Sequence, residues 1–125
     1  MTKQIVSYIA LGLIIACSSP PNRNCTDFKT GSFSFTAEID GEKKTTTFIR
    51  DENIEIDLFE GKRDTSSIRW INDCEYILKN KNPKSKAEEK SIHIKILTTA
   101  DSSYTFEYNA IGESRKFKGT AYKIH

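Results

Sequence analysis

The chain has little of what most catalytic chemistry requires. Its 125 residues include two histidines, one tryptophan, one methionine and three prolines. The histidines, His93 and the final His125, are far apart in sequence and form no clustered pair to bind a metal with the cysteines. There is no Gly-x-Ser-x-Gly elbow to expose a serine nucleophile. Gly61-Lys62 is not a phosphate loop, because position 56 is Ile where the upstream glycine would stand and Arg63 replaces the Ser/Thr. An excess of one charge is missing too: 19 Lys and Arg stand against 17 Asp and Glu, without the basic surplus that marks a nucleic-acid binder. Nor is there a bilayer-spanning apolar run. Ile5 to Ala16 is 12 residues broken by Ser7 and Gly12, about 18 Å of helix where a spanning segment must cross roughly 30 Å of hydrocarbon.

What that short run does have is the layout of a secretory signal: Lys3 ahead of it, a brief apolar middle, and the small residue Ala16 at its end. Ile14-Ile15-Ala16-Cys17 resembles the lipobox of bacterial lipoproteins, although that pattern usually has Leu where Ile14 stands. The resemblance implies cleavage before Cys17, acylation of that cysteine, and attachment to a membrane through it. An ordinary signal peptide with an incidental cysteine is the alternative. Each buried methylene of an acyl chain contributes ~0.8 kcal/mol, and two or more chains anchor stably. The chain is thus divided into a signal peptide (1–16), an acylated Cys with a flexible tether (17–30) and one β domain (31–125). Ser18 to Asn24, rich in proline and small polar residues, suits a tether. Without residues 1–16 the chain loses only Lys3 and keeps 18 basic and 17 acidic residues.

Once Cys17 is assigned to lipid, Cys25 and Cys74 are left as a candidate disulfide pair in an oxidising compartment. The alternative is two free thiols, with Cys74 buried as a small hydrophobe.

The rest of the chain alternates with a period of two, the pattern of strands with one buried face. Phe33, Phe35, Ala37 and Ile39 alternate with Ser32, Ser34, Thr36 and Glu38, and Asp40-Gly41 then predicts a type I′ hairpin into a Thr-rich strand from Glu42 to Arg50. In Asn53 to Glu60 the pattern predicts Ile54, Ile56 and Leu58 inside, with Glu55 and Asp57 facing solvent, before Gly61 turns the chain. A fourth strand, Thr65 to Ile71, is expected to bury Trp70 beside Ile68 and Ile71. Cys74, Tyr76 and Leu78 share a face of the fifth. The lysine-rich connection Lys79 to Lys90 must be solvated, and Asn82-Pro83 reads as the N-cap and first residue of a short helix. Ile92, Ile94 and Ile96 alternate with His93 and Lys95; Tyr104, Phe106 and Tyr108 share a face of strand seven. An eighth strand follows Gly112, with Gly119 marking a close approach of strands.

The fold expected is therefore all-β, an antiparallel meander of about eight strands forming a small barrel or a lipocalin-like half-barrel, with an open curved sheet or small sandwich as competitor. An eight-stranded barrel can hold one small molecule, and Phe33, Phe35, Tyr104, Phe106 and Tyr108 are the residues that would line such a cavity, or else fill the core. The carboxylate pairs Glu55/Asp57 and Glu88/Glu89 are read as exposed, with no cause for a raised pKa.

The lipobox, the opening CTDFKTGSFSFT, the segment RWINDCEYIL and the pair ILTT and YTFEY are together similar to a family of small lipoproteins from Bacteroidota. Some members bear the name DNA topoisomerase IV. That activity needs a tyrosine nucleophile in a large DNA-gripping domain plus an ATP site, and this near-neutral chain without a phosphate loop offers neither. In such bacteria, lipoproteins sent to the cell surface resemble one another in an acidic run after the acylated Cys. Ser18-Ser19-Pro20-Pro21 has no acid, which points to the outer membrane, facing the periplasm. The expected function is that of a non-enzymatic envelope lipoprotein that needs no cofactor or metal, does not bind nucleic acid, and binds a protein partner or a small apolar ligand. A lipocalin-like carrier is one alternative. Another is a periplasmic hydrolase with a polar pocket in which a histidine meets a serine or carboxylate.

Overall fold

A computed structural model describes residues 23–125. The signal segment 1–16, Cys17 and residues 18–22 of the tether lie outside the described residues. Eight strands follow in order: β1 (Gly31–Ile39), β2 (Glu42–Arg50), β3 (Ile54–Phe59), β4 (Lys62–Asn72), β5 (Glu75–Asn80), β6 (Ile92–Thr99), β7 (Ser103–Ala110) and β8 (Phe117–Lys123). Each pairs antiparallel with the next, and β8 returns to β1, so the meander closes into a barrel. The seam joins Phe35 to Ala121 and Phe33 to Lys123. The Ser32 N–H donates to the His125 carbonyl (3.0 Å) and the Ile124 N–H to the Ser32 carbonyl (2.7 Å). Closure removes the free edges on which an open sheet would recruit other chains.

The turns follow their chemistry. Asp40 (φ 52°) and Gly41 (φ 80°) form the expected hairpin, and Glu60 (φ 48°) with Gly61 (φ 76°) forms a second of the same kind between β3 and β4; positive φ at both central residues is the type I′ signature. Glu60 is an unusual choice there, and its carboxylate is held by Lys44. The helix in the β5–β6 connection, α1 (Lys86–Glu89), starts three residues later than Asn82-Pro83 suggested. Its N-cap is Ser85, whose Oγ accepts from the Glu88 N–H at 3.3 Å, while the Glu88 carboxylate accepts from the Lys84 N–H at 3.0 Å. Ser-x-x-Glu satisfies donors from both ends, and Asn82-Pro83 offers no such reciprocity.

One end of the barrel is plugged. A 3-10 helix, Cys25–Phe28, lies across it, with Cys25 and Phe28 buried. A disulfide joins Cys25 to Cys74 at the β4–β5 turn, across 49 residues of sequence. Residues 25–28 therefore pack as part of the domain, although the division at residue 31 put them in the tether: Phe28 sits 5.2 Å from Tyr104 and 6.5 Å from Phe33, ring to ring. The plugged half is filled with Phe33, Ile96, Tyr104 and Ala121, all almost wholly shielded from solvent.

Two expectations about faces fail. On β3 the carboxylates point inward: Glu55 is 4% exposed, while Leu58 is 42% exposed. The cause lies one strand earlier. Phe48 stacks on Phe33 at 5.1 Å inside the barrel, and in the β2–β3 register Phe48 faces Asp57 and Arg50 faces Glu55. Directly opposed residues share a face, so an inward Phe48 brings both carboxylates in with it. On β4, Trp70 packs inward against Tyr76 at 4.5 Å, but Ile71 is 54% exposed. Neighbours on a strand point to opposite faces, and the register breaks between Trp70 and Asn72.

Candidate functional site

The open half of the barrel holds a cavity of about 230 Å³. Its upper wall is Phe35, Leu78, Ile92, Phe106 and Tyr108, and its floor is made by Arg50, Glu55, Tyr76 and Tyr104. Toward the mouth it shares Asp57, Leu78 and Ile92 with a groove that also involves Asp64, Asn80, Glu88 and Lys90. The mouth thus lies at the barrel end opposite the 3-10 plug.

The upper wall follows from the period-two pattern. Phe35 meets Phe106 edge-on at 5.3 Å and Tyr108 at 6.5 Å, and Phe106 lies 5.7 Å from Tyr108. Gly119, the register partner of Phe106, leaves room for the Phe35 ring. A Cβ built there would stand 2.3 Å from Phe35 Cε2, so only glycine admits the ring in this position.

The floor is built around Arg50, whose side chain is fully buried. Nε and Nη2 donate to Glu55 Oε1 (3.1 and 2.9 Å), Nη1 donates to the Phe28 carbonyl (2.8 Å), and Nη2 also donates to the hydroxyls of Tyr76 (2.7 Å) and Tyr104 (3.0 Å). The guanidinium carbon lies 4.9 Å from the Phe33 ring centroid and 4.6 Å from that of Tyr76. Burial works against the charge, but Tyr76, Tyr104 and Glu55 outweigh it and raise the guanidinium pKa above its ordinary value. Burial also raises both phenols, with Arg50 opposing, so both remain neutral hydroxyls.

Asp57, one inward position nearer the mouth than Glu55, pairs with no cation among the described residues. Burial, the neighbouring Glu55 carboxylate and, more weakly, Asp64 push its carboxyl up to about 8, against a partial pull from Arg50. Two carboxylates facing one cation cannot both ionise cheaply, and at neutral pH the proton rests on Asp57, where it can be donated to Glu55. The expectation that this pair is solvated and unperturbed is thus corrected, by the same inversion of β3.

The structure divides the aromatic candidates. Phe35, Tyr104, Phe106 and Tyr108 line the cavity; Phe33 lies beneath the floor and does not. Arg50, Glu55 and Asp57 were missed as site residues, and the signal that carries them is register rather than composition. Glu88 of the other carboxylate pair stands at the groove by the mouth. His93 is on the outer surface, its Nε2 3.0 Å from Glu75 Oε2, and this hydrogen bond holds the Glu75 carboxyl below the usual range. Neither residue lines the cavity. Among the described residues, no three His, Cys, Asp or Glu side chains gather in a metal-binding arrangement, and no helix is long and apolar enough to cross a membrane. Comparisons of the chain with protein-family models, curated proteins and solved structures find no match.

Proposed function

We propose that this protein is a lipid-anchored, non-enzymatic binding domain of the cell envelope, held on the periplasmic side of the outer membrane by acyl chains on Cys17, and that its barrel takes up one small apolar ligand. The observation that carries the ligand reading is the cavity itself: about 230 Å³ lies between the 150 Å³ that binds benzene and the 300–1,000 Å³ of drug-sized pockets. A single ring with a short tail is the size implied. Its lining contains no histidine, serine or cysteine, which favours binding over hydrolysis.

The anchor fits the same geometry. Arg23 and Asn24 meet the barrel at its plugged end, where Arg23 Nη1 donates to the Ile96 carbonyl (2.9 Å) and the Asn24 N–H to Thr99 Oγ1 (2.8 Å). Five residues lie between Cys17 and Arg23, six steps of chain with a reach of at most about 22 Å, so an anchor on Cys17 holds the plug toward the membrane and turns the mouth away from it.

A protein partner is the second reading, favoured by the outward stripe that the inversion of β3 creates: Ile49 and Leu58 are 48% and 42% exposed, and Ile56 lies opposite Ile49. Two measurements test the proposal. Mass spectrometry of envelope protein should find a mature N-terminus at Cys17 carrying acyl mass, lost in Cys17→Ala; an unmodified soluble wild type overturns the anchor. Calorimetric titration with 2-phenylethanol and with its amine and carboxylate analogues should show saturable one-to-one binding of at least one of them, and binding of none overturns the ligand.

A further inference from the structure

We infer that the cavity is selective for a small hydrophobic amine, whose ammonium group pairs with Asp57 at the mouth side of the floor while its apolar body lies against Phe35, Phe106 and Tyr108. The inference rests on the ligand-binding reading above and adds the chemistry of the ligand.

Charge and hydrogen-bond partners decide which ligand headgroup the cavity suits. An arginine flanked by two tyrosines at the base of a barrel would ordinarily suggest a ligand carboxylate. Here that place is taken: Glu55 Oε1 already receives two bonds from Arg50, and the remaining bonds go to Phe28, Tyr76 and Tyr104. Arg50 has no charge left for an anion. The imbalance is of the opposite sign. Around Asp57, β2 contributes Arg50, β3 contributes Glu55, and β4 contributes Asp64 directly across the register. At the mouth, Glu88 and Lys90 complete the groove, but Lys90 is engaged by Glu113 at 2.7 Å. Lys44, on β2 toward its turn, is held by Glu60 and Glu42. Once Arg50 and Glu55 cancel, what faces the cavity is carboxyl oxygen and aromatic ring faces, and both attract cations.

The proton balance gives a signature. At pH 6.5 the amine arrives as ammonium and Asp57 holds a proton. Forming the ion pair sends that proton to solvent, one for each ligand bound. A neutral alcohol of the same shape releases none.

The test uses the full chain purified in a neutral detergent, titrated calorimetrically with 2-phenylethylamine, 2-phenylethanol and phenylacetate, in buffers of different ionisation enthalpy and with micelle-only blanks. The expected result is at least tenfold tighter binding of the amine than of the alcohol at pH 7. Close to one proton should be released per amine at pH 6.5, the affinity should rise as pH goes from 6 to 8, and phenylacetate should bind weakest. Asp57→Asn should bring the amine down to the affinity of the alcohol. The proton release is read on the unaltered protein, so the test does not depend on the variant folding. If amine and alcohol bind alike without proton release, or if phenylacetate binds best, the amine inference is overturned and the ligand-binding reading stands. If none of the three binds, both fall together.

Discussion

Arg50→Met removes the cation from the barrel floor at nearly constant length, and its cost can be worked from the contacts it leaves behind. Five hydrogen bonds are lost. Glu55, 4% exposed, is stranded as a buried carboxylate, and the Phe28 carbonyl and two tyrosine hydroxyls lose their donor. Removing one partner of a buried pair costs about 3–5 kcal/mol, against a total stability of roughly 5–15 kcal/mol for a domain. For a domain of this size that is a fall in melting temperature of roughly 12–40 °C. Arg50→Met combined with Glu55→Leu should recover most of the loss, because replacing both members of a buried pair by apolar residues is often neutral. Urea unfolding of oxidised protein provides the assay, followed by the fluorescence of Trp70, the chain's one tryptophan, whose ring lies 4.5 Å from Tyr76. The single and double variants form a cycle with an expected coupling of at least about 2 kcal/mol. A loss under about 1 kcal/mol for Arg50→Met, or strict additivity in the double variant, would refute the view that this pair organises the floor.

Asp57 binds a proton more tightly folded than unfolded, so its contribution is present in acid and is lost as pH rises from about 4 through about 8. Stability should decline across that window by up to about 1.4 kcal/mol per pH unit, and Asp57→Asn should flatten the decline in pH-dependent urea unfolding; parallel curves would exclude Asp57 as the source. Removing the bridge with Cys25→Ser and Cys74→Ser together should cost up to about 4 kcal/mol by loop-closure entropy, read by urea unfolding, and should loosen residues 25–28 first in hydrogen exchange; unchanged protection of Phe28 would refute its role as fastener of the plug. Gly119→Ala places a methyl where the Phe35 ring now sits and should drive that ring into the cavity. Weaker binding of 2-phenylethanol, with an overpacking cost of about 1–3 kcal/mol, is the expected outcome, and unchanged affinity would count against Phe35 as a wall of the site.

The strands were legible because apolar and polar residues alternate cleanly in β1, β6 and β7, and Asp40-Gly41 set one register unambiguously. β3 misled because it is amphipathic in both directions: Ile54, Ile56 and Leu58 alternate with two carboxylates, and hydrophobicity chooses the aliphatic side. Register decides otherwise. Counting outward from Asp40-Gly41 pairs Phe33 with Phe48, which fixes Phe48 and hence Arg50 on the inner face. The three-residue turn Asp51 to Asn53 then sets Arg50 opposite Glu55, held by the Asp51 carboxylate accepting from the Asn53 and Ile54 N–H groups, each at 2.8 Å. The candidate site was thus present in the order of residues, but only as a chain of pairings in which each step depends on the one before. The cavity is a further stage removed, because it depends on the ring positions of Phe35 and Phe106 over Gly119, and no local pattern encodes them.

The two ends of the barrel explain one another. A 3-10 helix that plugs a barrel brings backbone carbonyls into the interior, and the Phe28 carbonyl must find a donor there. Arg50 supplies it, at the cost of bringing a full charge among aromatic rings. Glu55 compensates that charge, and the Tyr76 and Tyr104 hydroxyls accept from Nη2, so these residues belong to the plug as much as to the cavity. The period of two along β3 then sets Asp57 at the next inward position, one pair of residues past the point where compensation ends. Of the two carboxyls that line the cavity, Glu55 is paired with Arg50 and Asp57 is the one that the fold has not already matched with a cation. For that reason selectivity is expected to follow Asp57, and stability to follow Arg50: breaking the Arg50–Glu55 pair should destabilise the domain, whereas substitutions at Asp57 should change what it binds.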